Sequence, residues 1–146
     1  MKGSVNYEWV AEKRMYESIY ASRTGRKTKI IDIQGDDLGF TSKDEQIHIN
    51  PAHKIMEGMV KAEKAAFRSG VFCHEMLHQI FTDFQHLEDV LDEEEDPKKR
   101  KVISLLANLV EDPAIEYRAP EVIGGSFLRS LNFTIKVIYE ESPEIQ

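Results

Sequence analysis

Apolar residues recur along this chain with two periods, and the periods predict the elements. From residue 5 to residue 21, Val10, Met15, Tyr16 and Ile19 form a rough apolar face among Glu, Lys and Arg, which predicts a helix. Trp9 and the tyrosines of that segment are expected to pack, because large aromatics carry much apolar area. A polar break around Gly25 follows. Lys29-Ile30-Ile31-Asp32-Ile33 is β-branched and bounded by Gly35, which predicts a strand. Asp36-Asp37-Leu38-Gly39 reads as a turn, because the spaced oxygen ligands of a calcium loop are missing. Gln46-Ile47-His48-Ile49 alternates and predicts a second strand, with Ile47 and Ile49 on one face and His48 toward solvent.

Asn50-Pro51 is a helix start signal, a strong cap followed by a residue favoured in the first turn. It predicts a helix from Pro51 through Met56, Val60 and Phe67 to about Ser69, with His53 in its first turn and Gly70 as its stop. A further helix is expected from Val71 past Phe84. Its stripe is Cys73, Leu77, Ile80, Phe84, Leu87 and Leu91, at alternating steps of four and three. The acidic run at 88–96 reads as a solvated connection, and Asp96-Pro97 repeats the start signal. Val102, Leu105, Leu106, Leu109 and Val110 form a second stripe, expected to face the first. Phe127, Leu131, Ile135 and Ile138 mark a last amphipathic helix over 126–141. The sum is an α+β chain, mostly helical with a small sheet, in a single domain of 1–146.

Composition narrows this reading. Hydrophobic residues at 41% and charged residues at 31% fit an ordinary globular chain of 146 residues. No apolar run approaches the ~18 residues of a membrane span, and the first residues show no apolar leader, so no membrane partner is expected. The single Cys, Cys73, forms no disulfide within the chain, and packing explains it better than chemistry. It fits a reducing compartment, so a cytoplasmic location is expected. A formal net charge of −7 disfavours nucleic acid as a partner. The chain ends at Ser-Pro-Glu-Ile-Gln without a terminus signal, as the N-terminal part of a longer protein with a further C-terminal domain would.

The strongest chemistry is His74-Glu75-Met76-Leu77-His78, an H-E-x-x-H pattern. On a helix the two imidazoles leave one face a turn apart and can reach one Zn²⁺. Both stand beside the Cys73–Leu77 stripe and not within it, as the wall of a site would. Glu75 is placed to act on water as a general base. A catalytic zinc takes a third protein ligand. The position for a later histidine holds Phe84, and His86 comes two residues too late. His48 and His53 lack spaced partners. A carboxylate from 108–116 is the other solution. If a helix runs through Pro113, then Asn108, Asp112 and Glu116 share a face, with Asp112 the ligand and its neighbours orienting it or a histidine. Glu111 is the alternative third ligand, and Asp112-Pro113 can also be read as another helix cap. For a transition-state donor, Tyr117 and His48 are conceivable.

The order of Ile47 to Pro51, His74 to His78 and Asn108 to Glu116, continued weakly at Ile123-Gly124-Gly125, resembles the minimal zincins of the mini-gluzincin type. These metallopeptidase-like domains occur alone or ahead of von Willebrand A-like domains in bacterial and phage proteins. The resemblance covers roughly residues 40–130. It implies a zincin-like fold, with a small sheet whose edge strand borders the active-site cleft. It also implies that a peptide or protein substrate adds to that edge, a role assigned by analogy to the strand ending at Ile49. One departure stands. Four residues after Glu111 comes Ile115, and four after Asp112 comes Glu116, so the gluzincin E-x-x-x-D order is not reproduced and the ligand stays open. The expected function is a zinc-dependent metallopeptidase. The alternative is a zincin-fold module that binds a peptide or partner with little or no turnover.

Overall fold

The computed structural model describes residues 7–41, 46–82 and 84–141, with side chains left out at 84–85, 104–105, 107–111 and 141. Mostly helical elements surround a three-stranded sheet, in the order α1 (Tyr7–Thr24), β1 (Ile30–Asp32), β2 (Gly39–Thr41), β3 (Ile47–Ile49), α2 (Lys61–Phe81), α3 (Phe84–Glu93), α4 (Pro97–Arg118) and α5 (Gly125–Glu141). Short 3₁₀ turns lie at Lys54–Met56 and Ala119–Glu121. The α+β class read from the sequence is observed. No helix among the described residues is long and apolar enough to cross a membrane.

Helix α2 is the centre of the molecule, and its burial explains its composition. Phe67, Phe72, Cys73, Met76 and Leu77 are fully enclosed and point to more than one side of the helix. Ile30, Ile47 and Ile49 of the sheet join them in one apolar cluster with Trp9, Tyr16 and Tyr20 of α1, Ile115 of α4 and Leu131 of α5. Cys73 belongs to this core, and burial pushes its thiol up to about 12, so it is packing and not a nucleophile.

Helix α1 is fixed by polar as well as apolar contacts. Tyr16 stacks on Phe72 with ring centroids 4.6 Å apart. Arg68 of α2 donates to both carboxylate oxygens of Glu12, at 2.8 and 2.6 Å, so a bidentate pair joins two helices below the surface. Trp9 Nε1 and Lys13 Nζ both donate to Asp32 Oδ1 at the end of β1. Met15, expected on the apolar face, is instead exposed, because Trp9, Tyr16 and Tyr20 define the buried side.

Several boundaries differ from expectation. Asn50-Pro51 starts no helix. The Asn50 amide donates to Gly35 O and accepts from Ala52 N, closing a turn, and α2 begins ten residues later at Lys61. Gly70 does not stop the helix. It lies inside α2, where α5 presses against it, and an added Cβ would lie 2.5 Å from the Ser130 carbonyl oxygen and closer still to the Thr134 hydroxyl. Thr134 Oγ1 in turn donates to Phe67 O at 3.1 Å. The glycine is there for approach of another backbone, which no local pattern reveals. Helix α2 ends at Phe81, and the acidic run contributes the separate helix α3 before Asp96 caps α4 through Lys98 N. Val102 and Leu106 are exposed, so the start of α4 does not face α2; Leu105, Leu109 and Val110 lie outside the described side chains.

The sheet order is β1-β3-β2, with β3 parallel to β1 and antiparallel to β2. The strand ending at Ile49 is therefore the central strand and cannot be the edge that borders a cleft. Its neighbour β2, of which the sequence reading assigns only Gly39, as the end of a turn, holds the edge instead. Asn50 N donates to Leu38 O at 2.8 Å, so 38 and 50 form a hydrogen-bonded pair. Antiparallel alternation then turns the backbone N–H and C=O groups of Gly39 and Thr41 away from β3.

Replacing Gly70 with Ala is expected to cost about 1–3 kcal/mol, because the α2–α5 contact has no room for a methyl. Urea denaturation of the purified variant checks this, and an unchanged midpoint would contradict the close approach.

Candidate metal centre

The face of α2 that α1, α5 and the sheet leave open carries His74 and His78. Both are half-buried, while Cys73 and Leu77 beside them are fully enclosed, as the stripe predicted. Their rings stand nearly perpendicular with centroids 4.7 Å apart. Helix α4 closes this gap with its last turns. Ile115 and Ala119 are buried there, and they share a face with Asp112 and Glu116. Arg118 adds a cation–π contact, its guanidinium carbon 3.9 Å from the centre of the Phe81 ring at the end of α2. Helix α4 is continuous through Pro113, so the reading of Asp112-Pro113 as a cap is overturned. Pro113 cannot donate to the preceding turn, yet the tertiary anchors hold the helix together across it.

Asp112 Oδ1 lies 3.0 Å from His78 Nε2 and 3.5 Å from His74 Nε2, and the two Nε2 atoms are 3.2 Å apart. Three donor atoms from two helices thus surround one point. Tetrahedral ligands of a Zn²⁺ at ~2.0–2.1 Å stand about 3.3–3.4 Å from one another, so the triangle has the size such an ion requires. The donor set, two imidazoles and a carboxylate, is also what zinc accepts. His78 Nδ1 is 2.9 Å from Thr82 Oγ1. With Nδ1–H donating to that hydroxyl, Nε2 keeps its lone pair for a metal. His74, His78 and Asp112 are accordingly a possible metal-binding group. The side chains of Glu111, the alternative ligand, and Asn108 lie outside the described residues.

Charge around the point is tightly coupled. Burial raises the Asp112 carboxyl, but hydrogen bonds from His74 and His78 outweigh it and hold the group far below the usual carboxylate range. Burial lowers His74, and its Asp112 hydrogen bond, with the nearby Glu75, Asp112 and Glu116 carboxylates, turns the net shift upward. Glu75 is only 7% exposed, and its burial raises it above an ordinary glutamate against the pull of both imidazoles. Glu116 is raised too, chiefly by desolvation. A poised acid beside a cluster of metal-type ligands suits proton transfer.

These groups open into a cleft of about 570 Å³. Its walls are the start of β2 at Leu38 and Gly39, the α2 residues Val71, His74 and Glu75, the α4 residues Asp112 and Glu116, and one face of α5. Gly39 is required by the fit of strand on helix, since an added Cβ would lie 2.9 Å from a Val71 methyl and 2.7 Å from the His48 carbonyl oxygen.

The remaining sequence candidates fall elsewhere. His53 is buried and structural, its Nδ1 accepting from Ile55 N while Nε2–H donates to Asp36 O. His48 stacks on Phe40 at 4.1 Å, on the sheet face opposite Ile47 and Ile49. Tyr117 is 88% exposed and lines no part of the cleft. Two residues escaped the sequence reading. Thr82 was detectable, lying one helical turn after His78. Tyr139 lines the cleft from α5, which only the packing of that helix reveals.

No protein-family model matches the chain, no curated protein matches it, and no solved structure matches it.

If His74, His78 and Asp112 hold a metal ion, replacing Thr82 with Val is expected to weaken its binding about 10–100-fold while leaving the fold intact. Competition with a chromophoric chelator measures this, and unchanged affinity would show that the Thr82 contact does not orient His78.

Proposed function

We propose that this chain is a zinc-dependent metallopeptidase with a zincin-like site. The observation that carries the reading is the convergence of His74 Nε2, His78 Nε2 and Asp112 Oδ1 beside the buried Glu75 carboxyl. The resemblance of Ile47 to Pro51, His74 to His78 and Asn108 to Glu116 to the minimal zincins supports it. His74, His78 and Asp112 would hold the ion. Zinc bound there would supply Lewis acidity toward the substrate carbonyl and would lower the pKa of a water toward ~7. Glu75 accepts the proton of the attacking water on a carboxylate oxygen and delivers it to the departing amine nitrogen. Its raised pKa suits both transfers. Glu116, one turn beyond Asp112 on the same face, holds negative charge next to His74 and steadies that imidazole. Tyr139 takes the place of the transition-state donor, because it is the phenol that lines the cleft among the described residues.

The outward backbone groups of Gly39 and Thr41 would receive an extended peptide beside Glu75. That edge is short, only three residues, which favours a second reading: a module that binds a peptide or partner and turns it over little or not at all.

Two variants separate these readings. His74→Ala is expected to lose stoichiometric zinc. Glu75→Gln is expected to keep zinc and lose peptide hydrolysis by about 10³-fold or more. Elemental analysis and mass spectrometry of a digested peptide library read the two. Stoichiometric zinc with no cleavage by the unaltered protein favours the binding module, and no zinc after metal loading refutes both.

A further inference from the structure

Helix α4 has a second face, turned away from the core. Val102, Leu106, Pro113 and Tyr117 all lie exposed on it. At about 100° per residue the four positions fall within about 60° of one another, in a row ~22 Å long. They stand roughly opposite the buried Ile115 and Ala119. The hairpin of α3 and α4 that carries most of this row projects from the molecule. Among the described residues, no hydrophobic side chain from 82 to 114 belongs to the core cluster or packs against it, and α3 has its main contact with α4. Single exposed apolar residues are ordinary, but four in a row on one helix face make a seam that another helix can cover. The charges of α4 are sorted along its length. Lys98, Lys99, Arg100 and Lys101 are exposed in its first turns, where the positive end of the helix dipole opposes them. No ion pair holds these four among the described residues. Asp112, Glu116 and Glu121 lie in its last turns or just beyond, at the negative end.

We propose that this face pairs with the same face of a second copy of the chain, the two α4 helices running antiparallel about a two-fold axis. The spacing of the row is the same read from either end, since four residues separate Val102 from Leu106 and Pro113 from Tyr117. An antiparallel pair therefore sets apolar against apolar throughout, Val102 against Tyr117 of the second copy and Leu106 against its Pro113. The same arrangement lays each set of four cations beside the acidic, negative end of the other helix, and so relieves the conflict with its own dipole. A parallel pair would instead set cations against cations. Two helices touching over ~22 Å bury less than the ~1,200 Å² typical of stable dimers, so the association is weak, with a Kd on the order of 10 μM. Pro113 also lines the cleft, so the second copy borders the cleft mouth. The pairing does not depend on the peptidase reading.

Sedimentation velocity of the full chain over a concentration series tests the pairing. A monomer–dimer equilibrium is expected, and Leu106→Glu is expected to weaken it at least about tenfold. Leu106 is exposed, so the variant should fold, and its thermal unfolding followed by circular dichroism checks that it does. Cross-linking reads the direction of the helices without relying on that variant. Val102→Cys and Tyr117→Cys chains, mixed and oxidised, are expected to form a disulfide with each other at least about tenfold faster than either forms one with itself. The native Cys73 is buried and does not compete. A chain that stays monomeric to about 1 mM overturns the proposal. So does a dimer that Leu106→Glu leaves unchanged, which would place the contact elsewhere. Val102→Cys chains that link to themselves as fast as to Tyr117→Cys chains would overturn the antiparallel arrangement.

Discussion

From Phe67 to Leu77 helix α2 is enclosed on every side but one, and the rest of the molecule follows from that enclosure. The sheet covers it with Ile47 and Ile49, α1 with Tyr16 and the Glu12–Arg68 pair, and α5 so closely that position 70 must be glycine. The strip left over carries two imidazoles, at His74 and His78, with the buried Glu75 next to the first in sequence. Close packing elsewhere fixes the backbone of the helix, so these side chains start from defined positions. The last turns of α4 reach the strip, held by Ile115, Ala119 and Arg118 over Phe81. Val102 and Leu106, earlier in α4, are exposed.

The electrostatics of the strip have one sense. Three carboxylates from two helices surround two imidazoles, and burial opposes ionisation of Glu75 while the histidines favour it in Asp112. Such a cluster is stabilised by positive charge placed at its centre. Protons on the imidazoles are one source of that charge, and a divalent cation is a stronger one. The spacing of the three donor atoms and the Thr82 contact to Nδ1 favour the cation, since both leave Nε2 aimed at a common point.

The legible parts of this arrangement were those with local spacing. Two histidines four residues apart must share a helix face, and Asp112 could be placed because four residues also separate it from Asn108 and Glu116. The Asp96 cap and the last helix followed from equally local signals. What escaped was set by long-range contact. Gly70 carries the ordinary signature of a helix stop, yet its meaning lies in Ser130 and Thr134, sixty residues away. Strand β2 is too short to show a period, so the edge was assigned to β3, whose alternation is clear but whose two neighbours are invisible in the sequence. Asn50-Pro51 has the composition of a helix cap and the hydrogen bonds of a turn, because the Asn50 amide donates from Nδ2 to Gly35 O while its Oδ1 accepts from Ala52 N.

His74, His78 and Asp112 are proposed to hold one zinc ion together. Zinc-edge X-ray absorption of the metal-loaded protein tests this most directly. Two imidazole nitrogens and a carboxylate oxygen at ~2.0–2.1 Å, with no sulfur, are expected, and that oxygen is expected to be lost in Asp112→Ala. A shell with fewer than two imidazoles, or one that Asp112→Ala leaves unchanged, would contradict the proposal.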